Sequence, residues 1–504
     1  MRALISVYDK ENIIEFAKEL EDLGWDIIST GGSFKKLKEA GIEVKEVSSV
    51  TNFPEILGGR VKTLHPFIHG GILFRRDNEE DVKTLKEQGI ESIDMVVNSL
   101  YPFKEVVAKR SSHEDTIENI DIGGPSMIRA CAKNYKHCLI VTDKSQYNEV
   151  IKRLKDKTDD EDFRMKLAKE AFQLTATYDS LIADYFNTKA EEEFPEKLNK
   201  SYELVQELRY GENPHQKAAY YEDSTPFGKL ELKQLHGKEL SYNNLNDLTG
   251  AFKANKVFEE PCVVAVKHTN PCGIGVGENI YEAYTKAYEC DSVSIFGGII
   301  VLNREVDKET AQKMSEIFLE VVAAPSFSKE AIEILEGKKN IRLIEISNMN
   351  EVKLDDKQIK QVLNGILVQD VDDILYASEL DFVTNRKPSE EELKQLEFAW
   401  KCAKSVASNG VVVAKDGQTL GIGQGETMRA WAVEEALDRA GEKVKGAVFA
   451  SDGFFFVDTM ELLHEKGITA IIQPGGSVKD KDVIEYANEH DMAIVFTHTR
   501  HFRH

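Results

Sequence analysis

The chain lacks most of the features that would take it out of the ordinary globular classes. Its six cysteines, at 131, 138, 262, 272, 290 and 402, are scattered and form no CxxC pair. That excludes a disulfide scaffold and suits free thiols in a reducing cytoplasm. No apolar run approaches the length of a membrane span. The opening "MRALISVYDKEN" is a short strand followed by polar residues, without a signal-peptide pattern. Positive charge is scarce: 64 Lys and Arg stand against 87 Asp and Glu, a net charge of −23. General nucleic-acid binding, which needs a basic face, is therefore not expected. By the same balance, an anionic substrate must be held by local clusters of Lys, Arg and backbone N–H groups. Several motifs are also missing. "GIGVGE" and "GIGQGE" contain GxG but lack the third glycine of a dinucleotide fingerprint. Neither a GxSxG elbow nor a Walker A loop occurs. "PCGIG" lacks the second Cys of a zinc-deaminase PCxxC and no HxE precedes it, so no metal site is expected.

At 504 residues the chain is long enough for roughly two to four domains, each with its own core. The first 50 residues alternate: "ALISV" reads as a strand, and Ile13, Phe16, Ala17, Leu20 and Leu23 recur at helical spacing. "WDIIS" is a second strand, "TGGS" opens a second helix and "IEVKEV" is a third strand. A βαβαβ start predicts a parallel sheet flanked by helices, continued by "IDMVVNSLYPF" and "HCLIVTD" and closed by a long amphipathic helix bearing Phe163, Leu167 and Tyr178. The charged stretch 187–201 reads as a linker. Beyond it, strand-like runs at 261–267, 293–302, 341–346, 410–415, 446–450, 469–473 and 492–496 alternate with helical stretches, with a softer break near 365–390. This region is read as two related α/β subdomains, the helix at 389–406 opening on a Ser389/Glu392 capping box.

Several clusters can carry chemistry. "GGRVKTLHPFIHGG" packs Arg60, Lys62, Thr63, His65 and His69 among four glycines, which suits a phosphate as well as it suits a solvated basic loop. "STGGS", Ser29–Thr30–Gly31–Gly32–Ser33, follows a strand and opens a helix, so its N–H groups face an anion. "DIGGPSMIRACAKN" repeats the device after Asp121, with Lys133 four residues from Arg129. By itself Lys133 reads first as a cation complementing the helix C-terminus. Tyr101 precedes a proline at the mouth of a strand end. In the second region, "VVAVKHTNPCGIG" sets Lys267 and His268 where a buried strand opens into a Pro/Gly-rich loop. "ELRYGENPHQ" places Arg209 and Tyr210 before a turn, and "HTRHFRH" follows directly on an apolar strand, which favours its being docked.

Together "GGRVKTLHP", "DIGGPSMIRACAKN", "RYGENPHQ", "KHTNPCG" and "FRH" resemble, in order and over essentially the whole chain, the bifunctional purine biosynthesis enzymes. In that family an inosine-monophosphate (IMP) cyclohydrolase is fused to a phosphoribosylaminoimidazolecarboxamide (AICAR) formyltransferase. The resemblance implies an α/β fold: a methylglyoxal-synthase-like parallel sheet over 1–195, then a formyltransferase region over 200–504 built of two cytidine-deaminase-like subdomains without zinc. It implies a cytoplasmic homodimer acting on small molecules, with 10-formyltetrahydrofolate as cosubstrate and no tightly bound cofactor. Nucleic acid and membrane are not among the implied partners. Three departures stand out, the first two being Ser99 where "NLYPF" would place Asn, and "DGFFFVD" at 452–458 in place of a segment with "FFPF". "SVYDK" replaces the family's "SVSDK".

Carried over residue by residue, the resemblance assigns formyl transfer to His268 as base and Lys267 as acid, with Asn409, Phe454, Arg209, Tyr210 and Arg500 binding substrates. An imidazole ordinarily titrates near neutrality, which suits the base. Ring closure falls to Lys62, Tyr101, Asp121 and Lys133. Ser6, Lys10, Ser29, Thr30, Gly31, Gly32, Ser33, Arg60 and Thr63 are then the nucleotide contacts.

Overall fold

A computed structural model describes residues 1–225, 228–353 and 357–504. The chain divides into two compact units, one of Met1–Leu204 with Tyr221–Phe227 and one of Val205–Tyr220 with Gly228–His504. The division falls within a two-stranded ribbon, Tyr202–Leu208 (β6) and Ala218–Asp223 (β7).

The first unit is built on β1 (Arg2–Val7), β2 (Asp26–Ser29), β3 (Val44–Glu46), β4 (Met95–Ser99) and β5 (Leu139–Val141). They lie in the order β3-β2-β1-β4-β5, all parallel. Leu4, Ile5, Ile28, Val96 and Ile140 are buried in one core with Ile13, Phe16 and Leu20 of the first helix, so the sheet is covered on both faces as parallel sheets require. The strand order reverses between β1 and β4, and the carboxyl ends there form the crevice where such sheets bind ligands. The long helix runs Glu161–Lys189 and so takes in the start of the charged stretch 187–201.

The second unit holds a single sheet of twelve strands. Its first half comprises β8 (Leu232–His236), β9 (Cys262–Lys267), β10 (Asn270–Val276), β11 (Ile299–Leu302), β12 (Val321–Ala324) and β13 (Arg342–Ile346). A separate hairpin, β14 (Lys357–Val362) and β15 (Gly365–Asp370), intervenes. The second half comprises β16 (Asp381–Phe382), β17 (Val411–Lys415), β18 (Gln418–Gly423), β19 (Val448–Ser451), β20 (Ala470–Gln473) and β21 (Ala493–Phe496). The order is β16-β21-β20-β19-β17-β18-β10-β9-β11-β12-β13-β8. The halves repeat one topology. In each, a two-residue hairpin (β9–β10, β17–β18) is flanked by three mutually parallel strands and an antiparallel edge strand. They meet where β10 pairs antiparallel with β18.

Alternation splits each central strand between two cores. Val264 and Val266 join Val412 and Ala414 in a core that both halves share. Val263 and Ala265 face a core of the first half, and Val411 and Val413 one of the second. A run buried on both faces reads as uninterrupted apolar sequence, and each fully buried valine contributes about 1.5–3 kcal/mol. The Ser389/Glu392 capping box is formed and opens the helix Glu390–Ala403.

Two expectations need correcting. The Pro/Gly stretch after His268 is not an open loop but strand β10. Its glycines let the helix Ile280–Cys290 lie against it: a Cβ on Gly273 would come 2.0 Å from Ala287 O, and one on Gly275 2.4 Å from Ala283 O. The strand expected over 293–302 begins only at Ile299, because residues 292–298 are turns and irregular backbone. Among the described residues no helix is long and apolar enough to cross a membrane, and all six cysteines are free.

Candidate functional sites

A cavity of about 520 Å³ opens at the carboxyl ends of β1, β2 and β4 and is lined by Ser6, Lys10, Thr30, Gly32, Ser33, Arg60, Lys62, Thr63, Tyr101 and Asp121. Most of the nucleotide contacts expected in this unit thus meet in one place. The Ser6 and Thr30 hydroxyls are 2.8 Å apart. Gly32 lets Lys10 approach, since a Cβ there would lie 3.2 Å from its Cε. Lys62 Nζ lies 3.8 Å from the Cβ position of Gly31, at the start of the second helix. Arg60 is paired with Glu118 across the cavity rim, and its guanidinium holds that carboxyl below the usual range. Both groups are exposed, and exposed pairs exchange readily for a better ligand.

Asp121 sits at the foot of the helix Gly123–Lys133. Its Oδ1 accepts a hydrogen bond from Gly124 N at 2.8 Å. Burial pushes its carboxyl above the ordinary value of 3.8, against the opposing pull of the Gly124 N–H and the Lys62 charge. A carboxyl perturbed by burial and a charged partner within a cleft is a candidate functional group. Its backbone is held by a residue read in the sequence only as an apolar helix position: Asp121 N donates to Tyr178 Oη at 2.8 Å, and Tyr178 Oη donates to Asn119 O at 3.1 Å. Asn98 is also new. It is buried, its amide nitrogen donates to Ser6 O at 2.8 Å, and its Oδ1 lacks a partner among the described residues while the side chain lines the cavity. An unpaired buried acceptor costs free energy, and a ligand N–H would relieve it.

Three expected residues fall elsewhere. Ser29 is fully buried and its hydroxyl donates to Ile5 O at 2.6 Å, so it knits β2 to β1. Gly31 shapes the turn but is not in the lining. Lys133, at the far end of its helix, lines a different groove of about 750 Å³ with His69, Arg129 and Phe172.

In the second unit Lys267 and His268 line a small pocket of about 160 Å³ with Asn270, Asp291, Gln424 and Arg439. Lys267 Nζ donates to Phe296 O at 3.0 Å. His268 is exposed in the β9–β10 turn, whose N–H groups are gathered by Asp247. Asn409 precedes β17. Its Oδ1 accepts from Arg429 Nη2 at 2.8 Å and its Nδ2 donates to Glu426 O at 2.8 Å. Arg429 also pairs with Asp452, a fully buried carboxylate that accepts from Ser408 Oγ at 2.6 Å and Gly410 N at 3.0 Å. Arg500 lies over the rings of Phe454 and Phe502 at 5.5 and 5.6 Å. The C-terminal segment is docked as expected: His501 is buried, with Nδ1 2.6 Å from Asp372 Oδ2. Arg503 donates to Thr269 O at 3.2 Å and to Ser405 O, joining the His268 turn to the segment before Asn409. Arg209 stacks over Tyr210 at 5.6 Å; none of their described contacts reaches the Lys267 cluster.

The class these features define is an α/β protein with one cavity at the switch point of a parallel sheet and another at the junction of two repeated halves. A family model described as "AICARFT/IMPCHase bienzyme" matches residues 131–439, and one described as "MGS-like domain" matches residues 12–126. A curated relative from Thermoanaerobacter sp. (strain X514), "Bifunctional purine biosynthesis protein PurH", is 53% identical over 100% of this chain and 99% of its own length. Relatives of the same name from Oceanobacillus iheyensis and Caldicellulosiruptor saccharolyticus are 52% and 51% identical over the same shares. The chain belongs to the AICARFT/IMPCHase bienzyme family, the bifunctional enzymes of purine biosynthesis with AICAR formyltransferase and IMP cyclohydrolase activities. The resemblance read from its motifs is thereby borne out.

Proposed function

We propose that the two reactions divide between the two units. The observation that carries this is that Lys62, Tyr101 and Asp121 line one cavity in the first unit while Lys267 and His268 line a separate pocket in the second.

In the second unit the AICAR amine attacks the formyl carbon of 10-formyltetrahydrofolate and the bond from that carbon to N10 breaks. His268 takes the amine proton, and Lys267 stabilises the oxyanion and returns a proton to N10. Asn409 and Phe454 border the substrates and Arg500 meets the AICAR phosphate. Arg209 and Tyr210 are retained as substrate contacts.

In the first unit the carboxamide nitrogen of formyl-AICAR attacks the formyl carbon and water leaves. The reaction is intramolecular, so positioning supplies much of the rate. Lys62 and Tyr101 polarise the formyl oxygen and Asp121 carries protons. Ser6, Lys10, Thr30, Ser33 and Thr63 cradle the phosphate, with Arg60 released from Glu118. Lys133, in its separate groove, is not needed for this reading.

The repeated halves are read as cytidine-deaminase-like subdomains, and the protein as a cytoplasmic homodimer with no tightly bound cofactor. Assaying formyl transfer and cyclisation separately on Lys62→Met and His268→Ala tests the division. Each variant should lose one reaction by about 10²–10⁴-fold and keep the other. Lys267→Arg should fail as Lys267→Met does, because a guanidinium does not give up its proton near neutrality. Joint loss of both reactions in one folded variant would refute the division.

A further inference from the structure

The two halves of the twelve-stranded sheet make the same two-residue turn from very different residues. In the second half Asp416 and Gly417, with φ of 52° and 70°, are closed by the Lys415–Gln418 pair. In the first half His268 and Thr269, with φ of 54° and 62°, are closed by the Lys267–Asn270 pair. Positive φ at both positions of such a hairpin strongly favours Asn or Asp followed by Gly. For a β-branched threonine it is a true outlier. Strain of this kind persists only where neighbouring structure holds it, and it gathers at functional sites.

The His268 turn is held from two sides. Asp247 accepts the His268 N–H at 3.2 Å and the Thr269 N–H at 2.7 Å. On the other side Arg503 Nη2 donates to Thr269 O at 3.2 Å, while Nη1 donates to Ser405 O. The Arg503 backbone is itself fixed: its N–H donates to Ser408 Oγ at 3.1 Å and its carbonyl accepts from Ser408 N at 2.9 Å. Ser408 in turn is bound to the buried Asp452 carboxylate and immediately precedes Asn409. Gly250 leaves room for this arrangement, since a Cβ there would lie 3.2 Å from Thr269 O and 3.6 Å from Arg503 Nη2.

We infer that Arg503 is a positioning residue for formyl transfer. It pins the strained His268 turn against the segment that carries Asn409, and so sets the imidazole relative to the amide without touching substrate. The inference rests on reading His268 as the base.

The test is a double-mutant cycle on the full chain, with formyl transfer from 10-formyltetrahydrofolate to AICAR and cyclisation of formyl-AICAR followed separately. Arg503→Met should lower formyl-transfer kcat by about 10–100-fold, the scale of a displaced catalytic group. Its KM for AICAR should stay within about threefold and cyclisation should be unchanged. Arg503→Lys should recover part of the loss. In the His268→Ala background Arg503→Met should cost nothing further, because no imidazole remains to be placed. Additive losses would make Arg503 merely structural and overturn the inference. Should Arg503→Met fail to fold, Asp247→Asn replaces it, with the same non-additivity expected and the same refuting result. His268→Ala at full activity would instead sink the reading of the base, an outcome distinct from failure of the clamp.

Discussion

Replacing Gly124 by alanine sets two effects of known size against each other. A Cβ there would lie 2.4 Å from Asp121 Oδ2, 2.9 Å from its Cγ and 3.0 Å from Asn98 Oδ1. Non-bonded heavy atoms settle near 3.5 Å, so the carboxylate must retreat by about 1 Å. The Gly124 backbone is not in the left-handed region, and alanine gains up to about 1 kcal/mol over glycine inside a helix. Overpacking costs about 1–3 kcal/mol. The net loss of stability is therefore at most about 3 kcal/mol, a fall of several degrees in Tm for a unit of this size. The catalytic effect is larger in consequence: a misplacement of about 1 Å costs on the order of 10²-fold in rate. Cyclisation of formyl-AICAR at 25 °C should fall about a hundredfold in a protein whose melting curve remains cooperative, and formyl transfer should be unaffected. If the folded variant closes the ring within about threefold of the wild-type rate, Asp121 is not the proton carrier and the reasoning from its geometry fails.

Asp121→Asn should abolish cyclisation yet raise Tm at neutral pH. Burial lifts the native carboxyl above 3.8, so its stabilising contribution is present below that value and lost as pH rises through the native value. The gain should shrink as the melt is repeated at lower pH, and a gain that grew on acidification would contradict the sign. Ser29→Ala should do the reverse of Asp121→Asn, lowering stability by about 1 kcal/mol for a lost buried hydrogen bond while leaving the KM for formyl-AICAR unchanged; a raised KM would return Ser29 to the site. Glu118→Gln should tighten binding of formyl-AICAR modestly at low salt by freeing Arg60, with the gain fading as salt is added; equal affinity at every salt concentration would show that Arg60 does not meet the ligand.

Much of the fold was legible because periodicity is a local signal. The βαβαβ start follows from short apolar runs that give way to apolar residues at helical spacing, and β9 and β17 from longer uninterrupted apolar runs. β10 and β18 were hidden for the opposite reason. The glycines of β10 read as loop and those of β18 only as a failed fingerprint, but in both strands they mark a helix pressed against a strand: Cβ atoms on Gly421 and Gly423 would lie 1.9 Å from Ala436 O and Ala432 O, as on Gly273 and Gly275 in the first half. "GIGVGE" and "GIGQGE", set aside for lacking a third glycine, are the signature of the repeat itself. Only their counterpart positions in the sheet give that meaning.

The sites divide along the same line. Cations and glycines are conspicuous against an acidic background, so Arg60, Lys62 and the Lys267–His268 pair could be picked out one by one. The groups that fix them could not, because their significance lies in partners far along the chain. Tyr178 is an apolar position of a long helix until its hydroxyl is found on the Asp121 N–H, 57 residues away. Arg503 is one of several charges in a basic segment until its guanidinium is found on Thr269 O, 234 residues away. Ser29 shows the converse error. A hydroxyl next to two glycines looks like a phosphate ligand, but at the end of a strand buried on both faces it must satisfy itself inside the sheet, and Ile5 O is the acceptor within reach. Sequence proximity to a phosphate-type loop is thus weaker evidence than the burial phase of the strand that leads into it. Thr30, one residue further on and beyond the last strand position, is the first hydroxyl free to face the cavity.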